Sequence, residues 1–212
     1  MAEQGLRERK KQRTREAIAA AAMELFAARG FDAVTVADVA RAAEVATATV
    51  FNYFPRKEDL VYSRLEVFED ELLAAIRERP AGASVVDAFA RFVTGRAREG
   101  ASRDLGERVE TTARIITASP ALLAREQQVV ARYADALAEL IAEETGGAAG
   151  DLRPRVAAGA LMAVHRALID YARERARSGR ATEGLADDLE AEGARAFALL
   201  RAGFGDYAVK RG

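Results

Sequence analysis

The chain has no cysteine, a single histidine (His165), four prolines and no surplus of either charge. Without cysteine there can be no disulfide, no thiol nucleophile and no thiolate metal site. One histidine excludes His-rich metal sites and two-histidine chemistry. Lys and Arg number 32 against 33 Asp and Glu, a formal net charge of −1. No global charge points to nucleic acid, so any basic surface must be local. No apolar run approaches the roughly 20 residues that cross a bilayer. The charged N-terminus is followed by a short apolar run, Ala17 to Met23. Glu16 and Glu24 bound that run and the helical pattern continues past it, so no signal peptide is expected. No membrane partner is expected, and the cytoplasm is the expected compartment. Period-2 alternation is also missing, so no sheet is expected.

What is present is helical periodicity, on a chain that is 50% hydrophobic and 31% charged, the balance of a soluble, well-packed globule. Ile18, Ala22, Leu25 and Phe26 lie on one stripe, and Val61, Leu65, Phe68, Leu72 and Ile76 on another. Later stripes are Val86/Phe89/Val93, Val109/Thr112/Ile116, Val130/Tyr133/Leu137/Ile141, Leu161/Val164/Leu168 and Leu189/Phe197/Leu200/Phe204. The breaks between them are chemical. Gly30 caps the first helix, Pro80 follows a long one, and Ser119-Pro120 opens another. Gly146 to Gly150 is a loop, Asp151 and Pro154 start the next helix, and Ser178-Gly179-Arg180 separates the last two. About nine helices result. The long helix after the first sixty residues is predicted to run from near Lys57 to Arg79.

The stretch Thr47 to Leu60, TATVFNYFPRKEDL, crowds Phe51, Asn52, Tyr53 and Phe54 before a Pro-Arg-Lys turn. Four consecutive helical residues point in four directions, so burial on one face cannot explain them. Thr35-Val36-Ala37-Asp38 reads as a capping box that opens a short helix. Glu44-Val45-Ala46 is a tight connection to a second short helix from Thr47. Two short helices joined by such a turn form a helix-turn-helix, whose second helix enters the major groove. Val50 and Phe54 then face inward. Thr47, Ala48, Thr49, Phe51 and Asn52 face out, where a methyl or ring meets a thymine methyl and an Asn amide pairs with adenine. Tyr53 and Lys57 stand at the edge, where phosphates run. With Thr35 these make the expected DNA-binding set. Arg9, Lys10, Lys11 and Arg13, flanked by Arg7 and Arg15, form a basic arm suited to phosphates or a minor groove.

These residues resemble the TetR family of transcriptional regulators. The resemblance rests on Ala28-Arg29-Gly30-Phe31; on Thr35-Val36, Val39-Ala40, Ala42-Ala43 and Val45; and on Thr49-Val50-Phe51, Tyr53-Phe54-Pro55, Lys57-Glu58 and Leu60. It covers roughly residues 12 to 62. The family typically has Gly where Glu44 stands and often Ser where Ala46 stands. Glu44 is therefore expected to occupy a strained, positive-φ turn, and Thr47 to take over capping from Ala46. The resemblance implies an all-α protein with an N-terminal three-helix DNA-binding domain, residues 1–60. A helical ligand-binding and dimerisation domain, residues 61–212, follows, its last two helices pairing across a two-fold. Small residues such as Ala160, Ala163, Gly193 and Ala196 suit that pairing.

Polar groups on otherwise apolar helices are the clues to a pocket. They are Arg108, Thr112, His165 and Asp170, among Phe89, Phe92, Val93, Ile116, Tyr133 and Met162. The expected partners are double-stranded operator DNA, a second copy of the chain and a small hydrophobic ligand. The stretch 54–82 is also similar to a subset of the family in which some members bind acyl-CoA-type ligands. A rival reading gives the second domain no small molecule, only dimerisation or a protein partner. No nucleophile–base pair, metal cluster or phosphate-cradling glycine loop is visible, so neither enzyme activity nor a cofactor is expected.

Overall fold

The structure, a computed structural model, describes residues 2–63, 65–99, 105–148, 150–178, 184–204 and 207–209. Among them are nine α-helices and no strand beyond one isolated bridge. None of these helices is long and apolar enough to cross a membrane. The expected breaks at 149, 179 and 180 lie outside the described residues.

The chain divides into two compact units, 1–66 with 111–126 and 67–110 with 127–212. The first begins with α1 (Ala2–Arg29). Its Ala-, Glu- and Arg-rich sequence favours helix, and it ends where Gly30 adopts φ 81° and donates to the Phe26 carbonyl at 2.9 Å. Next come α2 (Val36–Ala42) and α3 (Thr47–Tyr53). Their buried faces meet α1 in one core that holds Ile18, Ala22, Phe26, Phe31, Val34, Val39, Val50, Phe54 and Leu60. Each of the Val, Leu, Ile and Phe side chains among them contributes about 1.5–3 kcal/mol by its burial.

Two expectations are corrected in this unit. The helix predicted from Lys57 does not start there. Lys57–Leu60 is a 3-10 turn and α4 is Leu65–Arg77. Asp59 causes the difference: its Oδ2 accepts from the Arg56 N–H at 3.2 Å. The local bonds Asp59 N to Arg56 O and Val61 N to Glu58 O close tighter, three-residue turns. Residues 111–126 also belong with the first unit rather than with the second domain that the sequence starts at residue 61. Ile115, Ile116 and Leu122 are buried in the first core. Polar bonds fasten the same segment: Ser119 Oγ to Asp32 Oδ1 at 3.2 Å, and Tyr62 Oη to the Leu122 carbonyl at 2.9 Å. The division therefore falls within α6 (Leu105–Thr117) and α7 (Pro120–Thr145).

The second unit contains α4, α5 (Val85–Glu99), the rest of α6 and α7, α8 (Arg153–Arg177) and α9 (Leu185–Phe204). α9 packs on both α5 and α8. Gly193 explains the close approach. A Cβ there would lie 3.3 Å from Thr94 Cγ2 and 3.7 Å from Leu168 Cδ1. Gly193 thus serves packing within the chain, not the pairing surface assigned to it from sequence. Phe68 is an aromatic hub, 5.3 Å from Phe92, 5.2 Å from Tyr133 and 5.1 Å from His165 by ring centroids. Arg79, 3% exposed, ties the end of this unit together. It donates to the carbonyls of Ile76, Ala83 and Ala208 and pairs with Glu144 at 2.6 Å.

Candidate nucleic-acid interface

The α2–turn–α3 unit is held from both ends. Thr35 caps α2: its hydroxyl accepts from the Asp38 N–H at 3.1 Å, and Asp38 Oδ2 accepts from the Thr35 N–H at 3.0 Å and from its hydroxyl at 2.7 Å. The Thr35 backbone and side chain, then Arg29 and Arg41, hold the Asp38 carboxyl down at about 2, against a smaller opposing effect of burial. Arg41 bonds it at 3.2 Å and Arg29 lies 3.8 Å away. The Thr35 hydroxyl is therefore occupied inside the protein.

Glu44 sits at φ 54°, a left-handed conformation that favours glycine. The turn continues through Val45, whose N–H bonds the Ala40 carbonyl at 2.9 Å. Ala46 is the N-cap of α3 and offers no side-chain bond. The expectation that Thr47 replaces it as cap is corrected. Thr47 is already the first helical residue, where its φ/ψ no longer suits the capping geometry.

α3 divides its faces as its period requires. Val50 is 0% and Phe54 1% exposed. Thr47, Ala48, Phe51 and Asn52 are exposed, and Thr49 and Tyr53 half-buried. Phe51 stands 48% exposed. Lys57 is half-buried. Its Nζ donates to the Phe31 carbonyl at 2.6 Å and lies 4.1 Å from the Phe31 ring centroid. Burial pushes its ammonium below the usual range, while Asp32 and Glu58 oppose the shift. Two further donors on this nitrogen remain in reserve.

Arg9, Lys10, Lys11 and Arg13 are exposed, and α1 carries them as ordinary helical residues rather than as a separate arm. Arg15 departs from the arm altogether. It donates to the Ser63 carbonyl at 3.3 Å and stacks over Phe54 at 4.9 Å. Its position three residues before Ile18, on the same helical stripe, was the available signal.

The pocket candidates divide between the two units, though Phe92, Tyr133 and His165 meet around Phe68 and Phe89 lies 6.5 Å from His165 by ring centroids. Thr112 and Ile116 belong to the first unit, with Ile116 2% exposed in its core. Arg108 is exposed. Phe89, Tyr133 and Met162 are buried in the second core and Phe92 packs on Phe68. Of these candidates His165 and Val93 border the cavity of about 140 Å³ among α5, α8 and α9, with Thr94, Leu168, Ile169, Ala172 and Leu189. Its wall is almost wholly apolar. A wider cleft of about 480 Å³ lies beside the α7–α8 connection, lined with charge of both signs: Asp135, Glu139, Asp151 and Arg155.

A capped helix, a four-residue turn from Ala43 to Ala46 and a second helix with an uncharged outward face define a helix-turn-helix DNA-binding protein. Residues 18–62 match the family described as bacterial regulatory proteins, tetR family, and residues 79–205 match the MftR C-terminal domain. The chain is 34% identical over 167 residues to the HTH-type transcriptional regulator TcmR of Streptomyces glaucescens, covering 76% of this chain and 74% of that one. It is 29% identical over 163 residues to the putative mycofactocin biosynthesis transcriptional regulator MftR of Mycobacterium tuberculosis, covering 74% and 78%. The solved structure of SmeT with triclosan shares the fold at TM-score 0.59 and 20% identity, covering 90% of each chain. The chain belongs to the TetR family of DNA-binding transcriptional regulators, and it is not an enzyme.

Proposed function

We propose that this protein is a homodimeric repressor that leaves a palindromic operator when a small hydrophobic ligand binds its second unit. The observation that carries the reading is the outer face of α3, where Phe51 and Asn52 stand exposed beside the small residues Thr47 and Ala48. Thr47, Ala48, Thr49, Phe51 and Asn52 face base edges, while Tyr53, Lys57 and the α1 cations face phosphates. Thr35 acts indirectly, by fixing the start of α2.

Dimerisation is supported by α8 and α9. Their exposed faces carry Val156, Gly159, Ala163 and Ala167, and Ala191, Ala198, Leu199 and Ala202. Leu199 is 78% exposed. Such a patch favours an isologous two-fold contact. Two recognition helices then enter successive major grooves about one helical turn apart. The ligand acts only by binding one conformer more tightly than the other.

A second reading is favoured by the apolar cavity's volume of about 140 Å³, below the roughly 300–1,000 Å³ of ordinary ligand sites, and by the charged lining of the wider 480 Å³ cleft, which does not suit a hydrophobic ligand. In it the second unit binds no small molecule and serves dimerisation or a protein partner. Release assays on the operator complex separate the two. Anisotropy of labelled DNA beside the protein's own gene is followed while triclosan, a fatty acid and an acyl-CoA are added in turn. Saturable release by one compound, with two chains per site before release, supports the first reading. No release by any compound, from a tight and specific complex, supports the second.

A further inference from the structure

We propose that α3 reads an A·T core in each operator half-site, and that it does so chiefly through thymine methyl groups contacted by Phe51. The inference rests on the DNA-binding reading above and names the bases that reading leaves open.

α3 lacks the side chains that read G·C pairs. Its seven residues, Thr47–Tyr53, carry no charged side chain. The commonest specific contact to guanine is a bidentate Arg or Lys on O6 and N7, and α3 has neither. Cytosine is read by a carboxylate that accepts from N4, and α3 has none of those either. The cations nearby lie off α3: Arg41 and Arg29 pair with Asp38, and Lys57, which keeps donors for phosphate, bonds the Phe31 carbonyl. Arg56 lies beyond Pro55, outside the helix.

What α3 presents suits A·T pairs at both bases. Thr47 and Phe51 are one helical turn apart, as are Ala48 and Asn52. The first pair offers a methyl and a phenyl ring. The second offers a methyl and an amide that has no side-chain hydrogen-bond partner among the described residues. An Asn amide matches adenine N6 and N7, and an apolar group matches the thymine C5-methyl. At 48% exposure the Phe51 ring has apolar surface left to bury. Ala48 brings no bulk that would hold the helix off the groove floor.

The experiment selects bound duplexes from a random library with the full-length protein. It then compares three versions of the selected site at fixed salt. One is unmodified, one carries deoxyuridine for thymine in the half-site core, and one carries G·C pairs there. Deoxyuridine keeps every hydrogen bond and removes only the methyl. The wild type should select an A·T core and lose about fourfold in affinity per contacted methyl. Phe51→Ala, a substitution at an exposed position, should fold normally. It should bind the thymine site more weakly and no longer distinguish thymine from uracil. A G·C core in the selected site, or equal binding of thymine and uracil duplexes by the wild type, overturns the inference alone. A selection with no enriched sequence overturns the regulator reading and this inference with it.

Discussion

Arg125 and Asp59, 66 residues apart in sequence, meet through two guanidinium nitrogens on one carboxylate oxygen, Nε at 2.9 Å and Nη2 at 2.8 Å. Their side chains are 21% and 16% exposed. Asp59 also shapes the 3-10 turn through its other oxygen. One residue thus fixes both the exit from the helix-turn-helix and the docking of 111–126. Arg125→Ala should destabilise the first unit by about 1–2 kcal/mol, between the exposed and fully buried limits for ion pairs. Denaturant unfolding of the full chain measures it. A change within a few tenths of a kcal/mol would show that the pair is incidental.

Glu44 keeps a side chain where φ is 54°. Glu44→Gly should stabilise the first unit by about 0.5–1 kcal/mol, by removing left-handed strain that outweighs the added freedom of the unfolded chain. Glu44→Ala should give no such gain. Thermal melts of the three proteins decide the point, and equal midpoints would argue against strain here.

The legible parts of this molecule were those set by neighbours in sequence. The Thr35–Asp38 box, the Gly30 cap and the inward pair Val50 and Phe54 all follow from spacings of three or four residues. The positive φ at Glu44 followed from the glycine typical of the family at that position. Long-range docking was not legible. Nothing in the local pattern of 111–126 says that Ile116 and Leu122 complete a core begun by Ile18. Nor does local sequence show that Asp59 has a partner at Arg125, or that Phe68 is the ring against which Phe92, Tyr133 and His165 all pack. The spread of the pocket candidates was hidden for the same reason. Polar residues on apolar stripes were grouped by type, and the fold distributed them between two units.

Asp38 gives the first unit an acid sensitivity with a definite sign. Its carboxyl ionises at about 2 in the folded chain against 3.8 for the ordinary group. A lowered carboxyl stabilises the fold above the unfolded value, and that stabilisation is lost as pH falls through the folded one. Relative to Asp38→Asn, the wild type should lose its advantage between about pH 4 and pH 2 and hold it unchanged from pH 5 to 7. Urea midpoints of both proteins across that range provide the check. A difference independent of pH would assign the effect to geometry rather than charge.

Among the described residues Arg79 is the one buried cation, and its removal should be severe. Its side chain is 1% exposed, with three carbonyls and Glu144 around it. Arg79→Ala strands those acceptors and should cost about 3 kcal/mol or more. It should also loosen 207–209, which Ala208 and the Ser84–Val209 bridge hold in place. Limited proteolysis near the C-terminus, with and without the substitution, reads the second effect. Identical cleavage rates would separate Arg79 from that segment.

The most direct test of the central claim compares wild type and Asn52→Ala on the selected operator and on a scrambled duplex, by anisotropy at one salt concentration. The Asn52 amide is exposed on α3 and supports no core, so fold and non-specific affinity should survive its loss. The account requires a loss of about 1–3 kcal/mol on the operator, relaxed preference at one base position and no change on scrambled DNA. Equal losses on both duplexes would contradict it, because α3 would then be gripping the backbone rather than reading bases.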